Sequence, residues 1–372
     1  MFQRSLLTAG LLITAVSNVH ALPYGFFDAR SVAMGNVSMA TGGVTTAALS
    51  NPGMLMVNEY DDSYALLLPA IGAQVIDDGN VVEQLDEFQS LLGSTNPADL
   101  LRQQEILIGI EDDSVIAAVI PNAAFVSSGE NFTWGITYRA NAVVSATVVD
   151  LVDVNPIGPS PDGTLKALGV TIQEVGIPMG TALSISGIQL SLGVTPRYVQ
   201  VDVKEYSSPL SVANIDDVKN TPSEDLGAFT TFDAGVTLNL IDTFRVGLVA
   251  KNLVEETKTT SVGRKVNFKT HLRAGAALDL GVVTLAADMD LTERDPIAGE
   301  NPSKSFSVGA EIDAFSTVQL RAGYQTNLAN GATDPDLLSV GAGIWLGFNL
   351  DIAMVVGENS SYGAFIQSGF HF

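Results

Sequence analysis

The residues that could carry out chemistry are few and lie far apart. His271 stands two positions before Arg273, and Asp288 and Asp290 are also two apart. Two carboxylates at this spacing could share a calcium ion, and a histidine could serve as a general base beside a nucleophile. The sequence has no cysteine, no G-x-S-x-G motif and no His/Cys metal spacing. We therefore expect no enzymatic activity and no metal or other cofactor, and we expect these charged side chains to pair with one another.

The elements that position these residues are strands. Apolar and polar residues alternate between Val283 and Leu291, and the same pattern recurs in segments from Ser63 to the end. Because successive side chains of a strand point to opposite faces, each segment has one apolar and one polar face. The charged residues fall on the polar faces, which indicates that they line the interior of a barrel whose outside meets lipid. The predicted interior set is Arg139, Arg245, His271, Arg273, Asp288, Asp290 and Arg321.

Composition and charge exclude two further classes of protein, those with transmembrane helices and those that bind nucleic acid. The chain has 372 residues, of which 46% are hydrophobic. After the N-terminal segment, no run of about 18 apolar residues could form a transmembrane helix. The apolar residues are instead distributed by alternation, as a transmembrane barrel requires. With 41 acidic and 18 basic residues, the chain has no electrostatic reason to bind nucleic acid.

Both ends of the chain carry signals for export and assembly. Residues 1–21 read as a signal peptide, with Arg4 followed by an apolar stretch too short to span a bilayer. At the other end, the residues from Tyr362 to the terminus alternate between apolar and small or polar types. The terminal aromatic residues Phe370 and Phe372 resemble the signal that the barrel assembly machinery recognises in bacterial outer-membrane barrels. The alternative is an ordinary amphipathic strand at the end of a domain.

The alternating segments predict an all-β, transmembrane outer-membrane barrel of about fourteen antiparallel strands. The segments are 63–76, 114–126, 131–149, 178–187, 188–206, 226–240, 242–257, 265–279, 282–294, 302–314, 316–327, 335–347, 348–358 and 362–372. Short connections follow the even strands and longer ones, including 77–113 and 150–177, mostly follow the odd strands. This asymmetry is typical of barrels in the outer membrane of Gram-negative bacteria. A soluble β-sandwich is the alternative, but it gives less reason for the asymmetry.

Two segments lack the strand pattern. The stretch before the first strand is rich in Gly, Ala and Ser, and we expect it to fold into the lumen as a plug. The expected organisation is therefore a signal peptide over 1–21, a plug over 22–62 and a barrel over 63–372.

The first long loop has a helical pattern. Val81, Leu85, Phe88 and Leu92 recur at helical spacing, and a second helix is expected over 97–108, starting at Pro97. This predicts a small helical hairpin in the first external loop. The apolar stripe of its first helix must be buried against the second helix, the barrel rim or a bound lipid-like ligand.

Several short motifs resemble those of a known group of barrels. Ala29–Gly35, with Arg30 and Gly35, and the later Ser50-Asn51-Pro52-Gly53 resemble the plug of FadL-like outer-membrane barrels. Lys251–Leu253 and Leu320–Tyr324 also fit this group, and the closest likeness is to the conjugal transfer TraF-type outer-membrane proteins. FadL-like barrels transport long-chain fatty acids and aromatic hydrocarbons, so the resemblance implies a small hydrophobic ligand.

Two functions follow as hypotheses. The first is passive uptake of small hydrophobic molecules through a plugged barrel. The second is a non-transporting component or scaffold of a conjugation or secretion apparatus. In either case the expected partners are outer-membrane lipid and the barrel assembly machinery, and the barrel is expected to be a monomer. Asn51 and Pro52 would form a rigid plug turn, or an element that moves when a ligand binds.

The terminal aromatic residue generates a test. Deleting Phe372 should lower the amount of folded protein in the outer membrane, because the closing strand would lose the end of its recognition signal. The measurement is the fraction of protein with heat-modifiable migration on gels of outer-membrane preparations. Unchanged amounts of folded protein would contradict the assignment of Phe372 to assembly.

Overall fold

The alternating segments of the sequence pair as antiparallel strands in the computed structural model. The structure describes residues 28–57, 63–77, 79–111, 113–152, 161–213, 220–241, 243–294, 302–314, 317–330, 334–358 and 361–372. The predicted signal peptide and the two ends of the predicted plug segment, 22–27 and 58–62, lie outside these ranges.

In the described part of the chain, fourteen antiparallel strands close into a barrel. The strand elements are β1 Tyr64–Asp77, β2 Ser114–Ser127, β3 Thr133–Val152, β4 Asp162–Gly176, β5 Met179–Ile185, β6 Ile188–Pro209, β7 Glu224–Ile241, β8 Phe244–Lys251, β9 Glu256–Thr259, β10 Lys265–Phe268, β11 His271–Asp279, β12 Val283–Asp290, β13 Ser305–Ala314, β14 Val318–Asn327, β15 Leu337–Trp345, β16 Asn349–Gly357 and β17 Tyr362–His371. Strands β4 and β5 together make one barrel strand between β3 and β6, and β9 and β10 form a separate hairpin. Strand β17 pairs with β1, so the sheet closes on itself and its edges disappear.

The predicted strand count is confirmed, but three predicted boundaries are wrong. The fourth barrel strand begins at Asp162, within the loop predicted over 150–177. Three successive inward residues of this strand, Leu168, Val170 and Ile172, are apolar, and several outward ones are small or polar. This is the reverse of the pattern of a lipid-facing strand, so the alternation did not predict it. The strands predicted over 242–257 and 265–279 are shorter, since β8 ends at Lys251 and β11 begins at His271.

The two ends of the barrel differ in their connections. At one end the strands are joined by short turns such as 186–187 and 280–282, and Tyr64 and Phe372 exchange two backbone hydrogen bonds there. At the other end the connections are longer, including 78–113, 210–223, 252–270 and 291–304. We call these the short-turn end and the long-loop end.

The two faces of the wall have different chemistry. On the closing strand, Tyr362 and Ile366 are exposed on the outer face, while Phe365 and Gln367 are buried in the interior. Exposed apolar residues of the same kind occur around the barrel, among them Trp134, Ile136, Tyr138, Leu248, Ile352 and Met354. This apolar outer face is the one that a lipid environment requires.

Four α-helices and one short 3-10 helix complete the described elements. They are α1 Ala29–Ala33, α2 Val44–Leu49, the 3-10 helix Pro52–Met54, α3 Val81–Leu91 and α4 Pro97–Gly109. No helix in the described ranges has the length and apolar character needed to cross a membrane. The Asp77 carboxylate accepts hydrogen bonds from the backbone N–H groups of Val81 and Val82, which fixes the start of α3 at the end of β1.

Helices α3 and α4 pack on the outer face of the wall at the long-loop end. Val81, Leu85 and Phe88 are buried and Leu92 is half-buried, in a cluster with α4 and with side chains of β2, β3 and β4. The wall residues of this cluster include Val115, Val148 and Leu165. In the strand register they alternate with the inward-facing Ile116, Val143, Leu168 and Val170, so they face outward. The stripe is therefore covered by the second helix and the rim.

Candidate functional site in the barrel interior

Residues 28–57 lie inside the barrel, and we call them the luminal segment. All of them are buried except Arg30, Gly43 and Met56, which are half-buried. The segment contacts strands on all sides of the barrel, from β1 and β2 through β5–β8 to β14–β17. It fills the lumen near the short-turn end.

The luminal segment approaches the wall closely where the strands carry inward-facing glycines. A Cβ atom at Gly323 would lie 1.9 Å from the backbone nitrogen of Gly35, and one at Gly193 would lie 2.1 Å from the carbonyl oxygen of Pro52. Several of these glycines face each other across neighbouring strands; the pairs are Gly180 with Gly193, Gly193 with Gly235, Gly247 with Gly275 and Gly309 with Gly323. Sequence reasoning missed this belt, although repeated glycines at inward positions were the available signal.

The turn at Asn51 joins the luminal segment to itself and to the wall. The side-chain oxygen of Asn51 accepts a hydrogen bond from Gly53 N at 3.0 Å. Its Nδ2 donates to the carbonyl of Met39 at 2.8 Å and to Thr237 Oγ1 at 3.4 Å. Asn51 is fully buried, so replacing its amide would leave buried backbone groups without partners.

A first charged cluster surrounds Arg273, which is fully buried. Arg273 lies 3.2 Å from Asp290 and 3.5 Å from Asp288, and it donates to the carbonyl of Asn36 at 2.9 Å. Asp288 accepts hydrogen bonds from the backbone N–H groups of Ser38 and Met39. His271 lies beside this cluster, 3.7 Å from Asp290. The predicted interior charges of β11 and β12 therefore hold the luminal segment.

A second charged cluster joins the start of α1 to the neighbouring part of the wall, on β13, β14, β16 and β17. Arg30 makes a bidentate contact with Glu311 at 2.9 and 2.7 Å, and Arg321 donates to both Glu311 and Asp351. Gln367 donates to Asp351 and accepts a hydrogen bond from the backbone of Ala29. Two of the predicted residues, Arg30 and Arg321, are thus brought together by a shared carboxylate.

A third charged cluster lies beside the end of α2. Arg197 contacts Glu174 and Asp233, each at 2.7 Å, and Arg139 contacts Glu174 at 2.6 Å. Lys251 donates to the carbonyl of Leu49, the last residue of α2, at 3.1 Å. Of this cluster only Arg139 was in the predicted interior set. The remaining predicted residue, Arg245, pairs with Asp279 toward the short-turn end.

Toward the long-loop end, the lumen above these clusters is lined by aliphatic and aromatic side chains. We call this region the apolar lumen. Its inward-facing wall residues are Ile116, Ala118, Ile120, Val143, Leu168, Val170, Ile172, Val199, Val201, Val203, Leu337, Ala353, Val355 and Phe365. Their exposed fractions are 0–7%, so the side chains pack against one another and against α1. On β4 and β6 the interior thus changes from charged to apolar within two residues, from Glu174 to Ile172 and from Arg197 to Val199.

Comparison with known proteins places this fold among outer-membrane barrels. The family model described as "F plasmid transfer operon, TraF, protein" matches residues 48–290. Among curated proteins, no sequence matches the chain. Its structure is similar to the toluene transporter TbuX of Ralstonia pickettii, with a TM-score of 0.56, 12% identity, and coverage of 95% of this chain and 100% of that one.

Two further solved structures are similar in the same way. The P. putida toluene transporter TodX has a TM-score of 0.52 and 13% identity, covering 93% and 98% of the two chains. The monoaromatic hydrocarbon channel CymD has a TM-score of 0.54 and 11% identity, covering 95% and 99%. At these identities the similarity establishes the fold. Together with the family match, it confirms the resemblance that the sequence motifs predict.

The glycine belt generates a test of how tightly the luminal segment is held. Gly323→Val should lower the temperature at which the folded barrel unfolds on heat-modifiability gels, because its side chain would overlap the backbone at Met34 and Gly35. Overpacking of this kind costs about 1–3 kcal/mol. The matched control is Ala322→Val on the exposed neighbouring position of β14, which should leave this temperature unchanged. Equal effects of the two variants would contradict the close fit.

Proposed function

We propose a function from the premise that this chain belongs to the F plasmid transfer operon TraF protein family. The proposed function is that of an outer-membrane barrel through which small hydrophobic molecules pass passively, down their own concentration gradient. The solved structures that share its fold include barrels named as toluene transporters and a monoaromatic hydrocarbon channel. Those names describe the relatives, and they support the same class of ligand for this chain.

The observation that carries the proposal is the apolar lumen. Porins line their channels with polar side chains, because water fills them. Here the inward faces of β2, β4 and β6 are each aliphatic over three successive inward positions. An apolar molecule gains about 25 cal/mol for each Å² of surface that it removes from water, so this region would take it up in preference to a polar solute.

The luminal segment would control passage beyond the apolar lumen. It blocks the lumen near the short-turn end, and the three charged clusters hold it to the wall. Separating one partner from a buried ion pair costs about 3–5 kcal/mol. Passage through the barrel would therefore need a movement that leaves these pairs intact, such as a shift of the Asn51–Gly53 turn against the wall glycines.

A second function is favoured by a different observation. The side chains of the apolar lumen are almost fully buried, so the described structure is packed closed above the luminal segment. A filled lumen is what a non-transporting component or scaffold of a conjugation or secretion apparatus would need. The two functions differ in whether the lumen opens to a ligand.

Uptake of a hydrophobic probe tests the first function. Cells that express the protein should accumulate N-phenyl-1-naphthylamine faster than cells that lack it. Val201→Asn should reduce this uptake several-fold, because an unpaired amide in the apolar lumen disfavours an apolar ligand. The matched control is Gln200→Asn, which places the same group on the opposite face of β6.

The amount of folded barrel is measured by heat-modifiable migration for every variant. Equal uptake by wild type, Val201→Asn and cells without the protein would remove the transport function. The scaffold function would then be tested by asking whether loss of the protein lowers the frequency of plasmid transfer.

A further inference from the structure

The wall of the barrel is uneven at the long-loop end. Strand β6 extends to Pro209 and β7 starts at Glu224, whereas β8 ends at Lys251 and β11 starts at His271. The chain between these two shorter strands forms the β9–β10 hairpin. Among the described residues, β9 and β10 pair only with each other. The hairpin therefore starts where the barrel wall is shortest, and it is not part of the wall.

The hairpin folds into the mouth of the barrel. Val266 and Phe268 are two residues apart on β10, so they share one face, and both are buried in the cluster of the apolar lumen. The ring of Phe268 lies 4.8 Å from that of Phe229 on β7. Phe229 pairs with the inward-facing Val199 in the strand register, so it also faces the interior.

Exposed polar contacts hold the other end of the hairpin. Arg264 contacts Glu205 at 3.1 Å, and Ser261 donates to Glu224 from its backbone nitrogen and its hydroxyl, at 2.7 and 2.9 Å. Glu205 pairs with Leu168 and Glu224 with Val203, both inward-facing, so the two carboxylates also point into the mouth. We call these contacts the latch.

The ion pair of the latch is exposed, whereas the ion pairs that hold the luminal segment are buried. Lys258 of the hairpin also donates to the carbonyl of Ala228 on β7 at 3.2 Å. A two-stranded hairpin alone is marginally stable in water. The Arg264 side chain is 45% exposed, and ion pairs with such exposure contribute little. By contrast, Arg273 and its carboxylate partners are fully buried. The hairpin is therefore the element above the apolar lumen that can leave its place without breaking a buried ion pair.

We infer that the β9–β10 hairpin is the gate of the apolar lumen at the long-loop end. Phe268 and Val266 block the lumen. The latch contacts to Glu205 and Glu224 determine how often the hairpin is displaced and the lumen opens. Displacing the hairpin exposes an aliphatic surface in which a small hydrophobic molecule can replace the two side chains. This inference rests on the proposed function, because it names the residues that control access to the same region.

Thiol labelling tests the movement itself, and the natural absence of cysteine makes each label unique. Val201→Cys places a buried thiol in the apolar lumen, and a membrane-impermeant maleimide reports when it becomes accessible. Combining it with Glu205→Ala and Glu224→Ala, which remove the latch from the wall side, should raise the labelling rate several-fold. Val249→Cys, equally buried in β8, should label slowly and at the same rate with and without the latch.

A cross-link tests the consequence for uptake. Glu205→Cys with Arg264→Cys, joined by a bis-methanethiosulfonate reagent, should reduce the uptake of N-phenyl-1-naphthylamine several-fold, and reduction should restore it. The matched control joins Thr257→Cys to Asn267→Cys, which face each other within the hairpin. This second cross-link leaves the hairpin free of the wall and should not change uptake.

The outcomes separate the gate from the proposed function. An unchanged labelling rate at Val201, or an equal rise at Val249, would overturn the gate. Uptake above that of cells lacking the protein, but equal in locked and unlocked forms, would overturn the gate and leave the transport function standing. Labelling that responds to the latch, with no uptake above that of cells lacking the protein, would support a moving hairpin and overturn the transport function.

Discussion

The interior of this barrel is organised by the need to pack a polypeptide backbone inside a closed sheet. The luminal segment brings its own N–H and C=O groups into a space from which water is excluded, and each of them needs a partner. Two features of the wall meet this need. Inward-facing glycines let the backbone of Met34 and Pro52 come close, and buried charged side chains accept or donate the remaining hydrogen bonds.

The contacts at the two ends of the lumen differ in charge and in burial. Near the short-turn end, Arg273, Arg197 and Arg321 each bind two carboxylates, so moving the luminal segment would disturb buried charges. Near the long-loop end, the inward faces of β2, β4 and β6 are aliphatic, and Val266 and Phe268 of the separate β9–β10 hairpin are buried in the same cluster. The luminal segment is therefore held by buried charged contacts, and the β9–β10 hairpin by apolar contacts and exposed polar ones.

Much of the barrel could be predicted from the sequence, because alternation reports directly which residues face lipid. The strand number and the placement of Arg273, Asp288 and Arg321 in the interior followed from this pattern alone. It failed for β4, because the inward residues from Leu168 to Ile172 are apolar while the outward residues Thr171 and Gln173 are polar, the reverse of the pattern on a lipid-facing strand. The charged partners Glu174 and Glu311 were missed. The strand register places them beside arginines on neighbouring strands, and the spacing of residues along one strand does not reveal that register.

The same register explains why two long loops, each with an apolar stripe, lie on opposite sides of the wall. Val148 and Leu165 face outward, so the helical hairpin that covers them lies outside the wall. Phe229 and Glu205 face inward, so the β9–β10 hairpin that contacts them lies in the mouth. An apolar stripe in a loop sequence shows only that the loop will be buried. Which side of the wall buries the loop depends on whether the strand residues that it contacts face outward or inward. In this chain that places the helical hairpin on the outer face of the wall and the β-hairpin in the mouth of the lumen.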